Sequence, residues 1–370
     1  MEVILTSVYI AGISAILSMI IYVTDKIVNN YGDVLIDINN QTKELTVKGG
    51  ASLLSTLGEQ RIFIPSACGG KGTCGACKVV VTSDIGPVMP TELPYLSPEE
   101  LKISTRLACQ VKLKTNVEIA IPDELFNIQQ YSAKVKSIEQ LTYDIREVRL
   151  ALPEGTDITY KSGQYCQFEV PPYRKVKEST FRAYSMSSNP QDKENVEFII
   201  RLVPEGVVTT YVHELLEMNQ EINITGPFGD FHVRDTDAVM VCVAGGSGMA
   251  PFKSIFNDML NQSTFTDREI WYFFGALTTK DMYYLDWLWD LDKKYENFHF
   301  VPALSKPQEG EQWNGEVGLI TDVMDKYLKK EITGKREGYL CGSPGMLDAC
   351  MDVMKKNDMD PEKIYFDKFA

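Results

Sequence analysis

The most apolar part of the chain is its beginning, where the residues from Val3 to Val23 carry no charge. A helix of that length spans about 30 Å, enough to cross the hydrocarbon core of a bilayer. A secretory signal peptide would need a basic segment before the apolar run and small residues at its end, and neither is found. The pattern predicts a single-pass anchor over residues 1–26.

The next section alternates polar and apolar residues around Asn39-Asn40, which predicts a β-hairpin. A short helical stretch and further strands follow, and together they predict a small β-grasp domain over residues 32–124. The predicted elements are strands at 33–39, 43–47, 78–82 and 111–119, and a helix at 52–57.

The remaining sequence changes pattern once more. Short β-rich runs separated by turn residues predict an antiparallel β-barrel over residues 130–232. From residue 236 to 370, strands alternate with helices, which predicts a Rossmann-like parallel sheet. The fold class is therefore multidomain, α+β followed by α/β. The predicted strands lie at 133–139, 145–151, 165–170, 181–185, 197–203, 238–244, 269–274, 298–302 and 338–340.

Charge narrows the choice of partners. The chain has 370 residues and a net charge of −14. No basic surface stands out that could neutralise phosphates, so the composition excludes nucleic acid as a partner. Lysines flank the apolar run only on its C-terminal side, which places the folded domains in the cytoplasm.

Four of the eight cysteines form one pattern, with five, two and thirty-one residues between Cys68, Cys74, Cys77 and Cys109. Three thiolates from one glycine-rich loop and a fourth from a distant segment are typical of a [2Fe–2S] cluster. Zinc is the main alternative, although Cys₄ zinc sites usually have two C-x₂-C pairs. Disulfides are the other alternative.

The predicted barrel contains the run Arg182-Ala183-Tyr184-Ser185. Arg182 could neutralise a flavin phosphate, Tyr184 could lie against the isoalloxazine, and Ser185 could hydrogen-bond its N5 edge. Thr209 follows a glycine at a predicted helix start, where amides and the hydroxyl could hold a pyrophosphate. The alternative for this run is a surface arginine and a core tyrosine.

The parallel sheet opens with a glycine turn between its first strand and helix, which includes Gly246 and Gly248. That placement suits a dinucleotide pyrophosphate. Cys341 ends a later strand, at the sheet edge where ligands of such folds bind. Its alternative role is that of a buried structural cysteine, which is also the role expected for Cys166, Cys242 and Cys350.

In their order, these motifs resemble the ferredoxin-NADP⁺ reductase superfamily, in members with a fused plant-type ferredoxin domain. Within it, the chain resembles the F subunits of sodium-translocating NADH:quinone oxidoreductases. The resemblance implies Arg182, Tyr184, Ser185 and Thr209 as flavin-binding residues. It also implies Cys341 as the nicotinamide-side cysteine and Phe369 as an aromatic residue that shields the flavin.

The resemblance implies an activity as well: NADH reduces FAD, and FAD passes single electrons to the cluster and on to other subunits of an inner-membrane NADH:quinone reductase. The chain departs from the family by being shorter and by ending in Asp-Lys-Phe-Ala. Two other functions stay open. One is the reductase component of a multicomponent oxygenase, and the other is a ferredoxin-type carrier or redox sensor without turnover.

Overall fold

The computed structural model describes residues 2–156, 158–310 and 312–368. Contacts between backbone segments divide the chain into two compact units. The first consists of Met1–Ser66 with Gly70–Asn127, and the second of Ala67–Gly69 with Ile128–Ala370.

The first unit begins with one long helix, α1 (Glu2–Val28). Its segment Leu5–Asp25 is long and apolar enough to cross a membrane, and no residue of its most apolar window is buried by the rest of the protein. Length and composition thus agree with the predicted anchor. Large apolar side chains exposed to this degree are costly in water and favourable in lipid.

A five-stranded sheet follows, in the order β2-β1-β5-β3-β4. The predicted hairpin is confirmed, with a turn of three left-handed residues at Asn39, Asn40 and Gln41. Alternate residues of the first strand are buried beside the apolar side of the first short helix. The elements are β1 (Asp33–Ile38), β2 (Lys43–Lys48), α2 (Leu53–Glu59), β3 (Lys78–Val81), α3 (Pro98–Lys102), β4 (Thr105–Leu107) and β5 (Val117–Ala120).

One predicted strand of this unit is wrong in extent. The run 111–119 was expected to be continuous, but only its end belongs to β5, and β4 was not predicted. Val111 and Leu113 are buried like strand residues. Their carbonyls, however, accept hydrogen bonds from the amide of Leu53, the first residue of α2, and from the amide of Gly50 in the connection before it. Burial produced the strand-like pattern, and the backbone pairs with a loop instead.

The second unit starts with six antiparallel strands in the order β10-β7-β6-β11-β8-β9. A bridge between Met186 and Phe198 joins the end of one edge strand to the other edge, so the sheet curls into a partly closed barrel. The elements are β6 (Gln129–Gln140), β7 (Ile145–Ala151), β8 (Tyr165–Val170), β9 (Thr180–Ser185), β10 (Asn195–Arg201), α4 (Val207–Glu214) and β11 (Glu221–Phe228).

The same unit ends in a parallel sheet with strand order β15-β14-β13-β12-β16-β17. Val241 and Val243 of its central strand pack on one face, and Met240 and Cys242 pack on the other, so both faces are covered. The elements are β12 (Val239–Gly245), α5 (Met249–Asn261), β13 (Ile270–Ala276), α6 (Leu285–Lys294), β14 (Phe298–Leu304), β15 (Glu316–Val317), α7 (Ile320–Lys330), β16 (Arg336–Gly342), α8 (Pro344–Lys356) and β17 (Ile364–Lys368).

The strand order of this sheet reverses at β12, because the chain continues to β13 on one side while β16 pairs on the other. In open α/β sheets, ligands bind at the carboxyl ends of strands at such a reversal. Ala244 and Cys341 are partners in the β12–β16 register. The predicted glycine turn and the predicted nicotinamide cysteine therefore lie at the same edge of the sheet.

Candidate functional site

Two paired strands bring cysteines together in the first unit. Cys77 directly precedes β3, Cys109 follows β4, and these strands pair antiparallel. The Ala108 amide donates to the Cys77 carbonyl at 2.8 Å. A hydrogen bond with the Cys109 thiol and burial raise the pKa of Cys77, and Cys74 adds in the same direction. Three thiols thus lie within interaction range, and they need a cationic group to become thiolates together.

This donor set fits an iron–sulfur cluster. Among the described residues, no three His, Cys, Asp or Glu side chains converge as ligands of one metal ion. A [2Fe–2S] cluster does not require that, because each iron takes two cysteine sulfurs. Cys68 is buried and belongs to residues 67–69, which group with the second unit.

Glycine is required in the cysteine loop where other side chains approach it. Gly72 and Gly75 have left-handed backbones, with φ values of +73° and +68°. A β-carbon at position 72 would lie 2.6 Å from Gln110 Nε2, and one at position 75 would lie 2.8 Å from the Tyr95 side chain. The Tyr95 hydroxyl also donates to the Thr73 carbonyl at 2.9 Å.

A buried ion pair supports the same region. Arg106 binds Glu92 through two nitrogens, with Nε–Oε1 at 3.0 Å and Nη2–Oε2 at 2.8 Å. Glu92 also accepts hydrogen bonds from the amides of Leu107 and Met89. Burial alone would raise the pKa of Glu92, but the hydrogen bonds from Arg106 and the two amides lower it. The carboxylate therefore stays charged and holds the segment before α3 against β4.

In the second unit, the three predicted flavin residues Arg182, Tyr184 and Ser185 lie on β9, an edge strand of the barrel. The Tyr184 ring packs edge-on against Phe168, with centroids 6.1 Å apart. Burial raises the pKa of Tyr184, so its hydroxyl stays neutral. Arg182 Nη1 donates to the Phe181 carbonyl at 2.7 Å, which leaves further donors for an anion.

Thr209 lies in the first turn of α4, as predicted. Its hydroxyl accepts from the Val203 amide at 3.1 Å and contacts the Val203 and Gly206 carbonyls. In this structure Thr209 closes the turn that leads into the helix. Gly206 precedes α4 without a side-chain cap, so the helix start presents backbone amides.

The glycine turn continues β12 into α5, and no side chain caps that helix. A β-carbon on Gly248 would lie 2.1 Å from the Cys341 carbonyl oxygen, so only glycine lets the turn approach β16. Gly246 has a φ of +56°, and a β-carbon there would lie 3.2 Å from Arg201 Nη1. Arg201 is oriented by Asp144, with Nε–Oδ2 at 2.7 Å. The turn therefore combines a helix start that no side chain caps with a nearby cation, as an anion site requires.

A hydrogen bond joins the two halves of this unit at the same edge. The Ser185 hydroxyl donates to Asp367 Oδ2 at 3.0 Å, across 182 positions of sequence. Asp367 is the register partner of Cys341 in the β16–β17 pair. Burial raises the pKa of Asp367, while the Ser185 hydrogen bond lowers it. Burial also raises the pKa of Cys341, and the Asp367 charge adds to that.

The structure thus brings Ser185 and Cys341 together around Asp367, a residue that sequence reasoning missed. Arg201 was missed as well. Both carried weak signals: Asp367 lies two positions before the predicted Phe369, and Arg201 ends the strand before the predicted glycine turn of α4. Phe369 itself lies outside the described residues. Cys166, Cys242 and Cys350 are buried, as expected for structural cysteines.

Three family models match the chain in sequence order. A 2Fe-2S iron-sulfur cluster binding domain matches residues 36–114, an oxidoreductase FAD-binding domain matches 132–233, and an oxidoreductase NAD-binding domain matches 242–352. The first of these favours the cluster over zinc or disulfides at the cysteine loop.

Full-length relatives share the whole arrangement. The chain is 35% identical to the F subunit of the Na(+)-translocating NADH-quinone reductase of Neisseria meningitidis, and 33% identical to the corresponding protein of Serratia proteamaculans. Each alignment covers all of both proteins and spans 408 positions, so the relatives contain stretches that this shorter chain lacks.

Solved structures show the same fold. The cytochrome P450 reductase GcoB of Amycolatopsis has a TM-score of 0.70 and 26% identity, covering 91% of this chain and 98% of that one. The ferredoxin reductase in carbazole 1,9a-dioxygenase has a TM-score of 0.69 and 26% identity, covering 92% and 99%.

Proposed function

The chain belongs to the family of F subunits of Na(+)-translocating NADH-quinone reductases, and from that premise we propose how its residues perform the family's electron transfer. It is an oxidoreductase that takes electrons from NADH and delivers them to the other subunits of a membrane-bound complex. When bound, FAD accepts a hydride and releases electrons singly, and the [2Fe–2S] cluster carries them one at a time.

The Ser185–Asp367 hydrogen bond is the observation that carries this proposal. It connects the barrel strand proposed to hold the flavin with the sheet edge proposed to hold the nicotinamide. Hydride transfer from the nicotinamide C4 to the flavin N5 requires these two atoms to be in close contact, so both cofactors must meet at one place. The side chains of Ser185, Asp367 and Cys341 supply that place.

On the flavin side, Arg182 neutralises a phosphate of FAD, and Tyr184 lies against the isoalloxazine. Ser185 would lie at the N5 edge, where its hydroxyl, oriented by donating to Asp367, can accept a hydrogen bond from a protonated N5. The amides at the start of α4 would hold the pyrophosphate, and Thr209 closes the turn that presents them. The charged contact between Arg182 and the phosphate should contribute about 1.5–3 kcal/mol to FAD binding.

On the nicotinamide side, Gly246 and Gly248 let the β12–α5 turn approach the pyrophosphate of NADH. Arg201 adds a positive charge beside the turn. Cys341 would lie against the nicotinamide. In the cluster site, Cys68, Cys74, Cys77 and Cys109 are the thiolate ligands.

The location follows from the complex and from α1. A subunit of a membrane-bound reductase with one exposed apolar helix is held at the membrane. We further propose a single pass through the inner membrane, with the catalytic domains in the cytoplasm.

The proposed domain limits are 1–26 for the anchor, 32–124 for the ferredoxin, 130–232 for the FAD domain and 236–370 for the NAD domain.

The second candidate is the reductase of a multicomponent oxygenase, favoured by the overall similarity to the carbazole dioxygenase ferredoxin reductase. Such a reductase would use the same three cofactors. The apolar helix and the full-length match to F subunits speak for the membrane complex.

The full-length protein and a fragment that starts at Thr24 test these statements together. Purified protein should contain FAD and about two irons per chain, and NADH should drive ferricyanide reduction in both forms. Only the full-length protein should stay in washed membranes. A fragment that cannot bind FAD would contradict the role of residues 1–26 as a separate membrane anchor. Full-length protein that is washed off the membranes would favour the oxygenase reductase. Absence of NADH-dependent reduction would leave only a carrier or sensor.

A further inference from the structure

The side chain that follows the fourth cysteine is held at both ends of its carboxamide. Gln110 Nε2 lies 3.5 Å from the Sγ of Cys109, within hydrogen-bonding range for sulfur. Gln110 Oε1 accepts a hydrogen bond from the Thr91 hydroxyl at 2.9 Å. A cysteine thiolate can only accept hydrogen bonds, so the NH₂ end is the end that faces it.

The same carboxamide also meets the cysteine loop at Gly72. A β-carbon there would lie 2.6 Å from Nε2 and 3.0 Å from the side-chain carbonyl carbon of Gln110. The left-handed backbone of Gly72 opens the space that the amide fills. Gln110 is thus enclosed by the loop of Cys74, the sulfur of Cys109 and the hydroxyl of Thr91.

The partner that orients Gln110 is itself anchored. Thr91 directly precedes Glu92, the carboxylate that is buried against Arg106. Arg106 also donates to the carbonyls of Gly86 and Pro87. These bonds hold the segment from Gly86 to Glu92 against the strand that leads to Cys109. The Thr91 hydroxyl is therefore kept within reach of Gln110.

We propose that Gln110 is a positioning residue that raises the reduction potential of the [2Fe–2S] cluster, by donating an N–H···S hydrogen bond to Cys109. Reduction adds a negative charge to the cluster, and a donor at a ligand sulfur stabilises the reduced form more than the oxidised form. A higher potential favours electron transfer from the flavin. This inference rests on the proposed function, because it requires a cluster on the four cysteines.

The test is an EPR-monitored redox titration of the full-length protein and four variants. Gln110→Leu keeps the bulk and removes the donor, and we expect the equilibrium constant for cluster reduction to fall by about tenfold. For one electron this is a shift of about 59 mV to more negative potential. Gln110→Glu replaces the donor with a negative charge, and its shift should be larger in the same direction.

Two variants separate orientation from general perturbation. Thr91→Val removes the hydroxyl that orients the amide, and we expect a smaller negative shift with the Gln110 side chain intact. Gln60→Leu changes an exposed glutamine at the end of α2 and should leave the potential unchanged. If the role of Gln110 were purely structural, the reduction potential of the glutamate variant would not shift further than that of the leucine variant.

Iron content and absorbance distinguish failure of this inference from failure of the proposed function. Wild-type protein without iron would sink the cluster assignment itself. Iron-loaded Gln110→Leu and Gln110→Glu with the wild-type potential would overturn the role of Gln110. If both lose their iron, Thr91→Val still decides, since an unchanged potential in that variant also overturns it.

Discussion

Two regions of the molecule position redox groups by different means. One is the cluster region around the four cysteines, and the other is the flavin–nicotinamide region around Ser185, Asp367 and Cys341. In the cluster region, three of the four proposed ligands lie within ten residues of sequence, and paired strands bring the fourth to Cys77. In the flavin–nicotinamide region, the key contact joins Ser185 to Asp367, which are 182 positions apart. Covalent ligands can be placed by one loop, whereas two non-covalent cofactors need several strand ends held by a whole sheet.

This difference predicts different responses to mutation. Removing one thiolate should abolish the cluster and leave the flavin region intact. Removing one contact in the flavin–nicotinamide region should change a rate or an affinity by a finite factor, because the remaining contacts still hold the cofactors.

The largest effect is expected for Cys77→Ser. A serine hydroxyl does not replace a thiolate ligand, so the cluster should be lost completely, while FAD content and flavin reduction by NADH stay at the wild-type level. Iron analysis and the visible spectrum measure this. Cys350→Ser, at a buried cysteine of α8, is the control and should retain both cofactors. Loss of FAD together with the cluster would contradict the independence of the two regions.

The next effect is expected for Asp367→Asn. The amide keeps the size of the side chain but is a weaker, uncharged acceptor for the Ser185 hydroxyl, so the hydroxyl is less firmly oriented and flavin reduction by NADH should slow by about 100-fold. Burial raises the pKa of Asp367, so its carboxylate should become protonated, and the wild-type rate should fall, as the pH drops through a value above the usual aspartate pKa. This pH dependence should disappear in the variant. Anaerobic stopped-flow absorbance measures both.

Asp348→Asn is the matched control for that experiment. Asp348 forms an exposed ion pair with Lys368, the neighbour of Asp367 on β17. Exposed pairs of this kind contribute little, so its rate should equal that of the wild type. A wild-type rate in Asp367→Asn would remove Asp367 from the mechanism.

Sequence patterns predicted most of the fold, because burial alternates along the strands that cover a core. β7 and β8 were predicted with their observed bounds, since residues such as Pro153, Gly163 and Pro171 limit the two runs. The short strands β4, β15 and β17 were missed, because two to five residues give too little periodicity. The segment at 111–119 was overextended because apolar burial does not reveal which backbone it pairs with.

The candidate sites differ in the same way. The cysteine spacing is a local property, so all four proposed ligands could be named from the sequence. Asp367 and Arg201 contact residues that are distant in sequence, and nothing near them in sequence identifies those partners. Gln110 could be seen next to Cys109, but its contacts with Thr91 and Gly72 require the fold.

A third effect is expected for Arg182→Ala. Loss of a charged contact with a flavin phosphate, worth about 1.5–3 kcal/mol, should weaken FAD binding by about 10- to 150-fold. The cluster absorbance should stay. FAD released on dilution and re-bound in a fluorescence titration gives the affinity. Arg174→Ala removes an exposed pair with Glu214 in the same barrel and should bind FAD normally. Equal affinities for both variants would mean that Arg182 does not contact FAD.

The smallest effect concerns acid stability of the cluster region. The pKa of Glu92 is lowered in the folded protein, so its pair with Arg106 stabilises fully above the unfolded pKa of about 4.5 and is lost as the pH falls through the folded value. Glu92→Gln should therefore lose less stability than the wild type on acidification. Urea unfolding followed by cluster absorbance at several pH values measures this, and parallel pH curves for the two proteins would exclude the pair as the cause.

We expect electrons to reach the cluster only through the flavin held at Ser185 and Asp367. Wild-type and flavin-depleted Arg182→Ala proteins are mixed anaerobically with one equivalent of NADH, frozen at intervals and examined by EPR. The reduced-cluster signal should appear rapidly in the wild type and should be absent from the flavin-depleted variant. Dithionite should still reduce the cluster of that variant. A cluster signal that appears with NADH at the wild-type rate in the flavin-depleted protein would contradict this expectation.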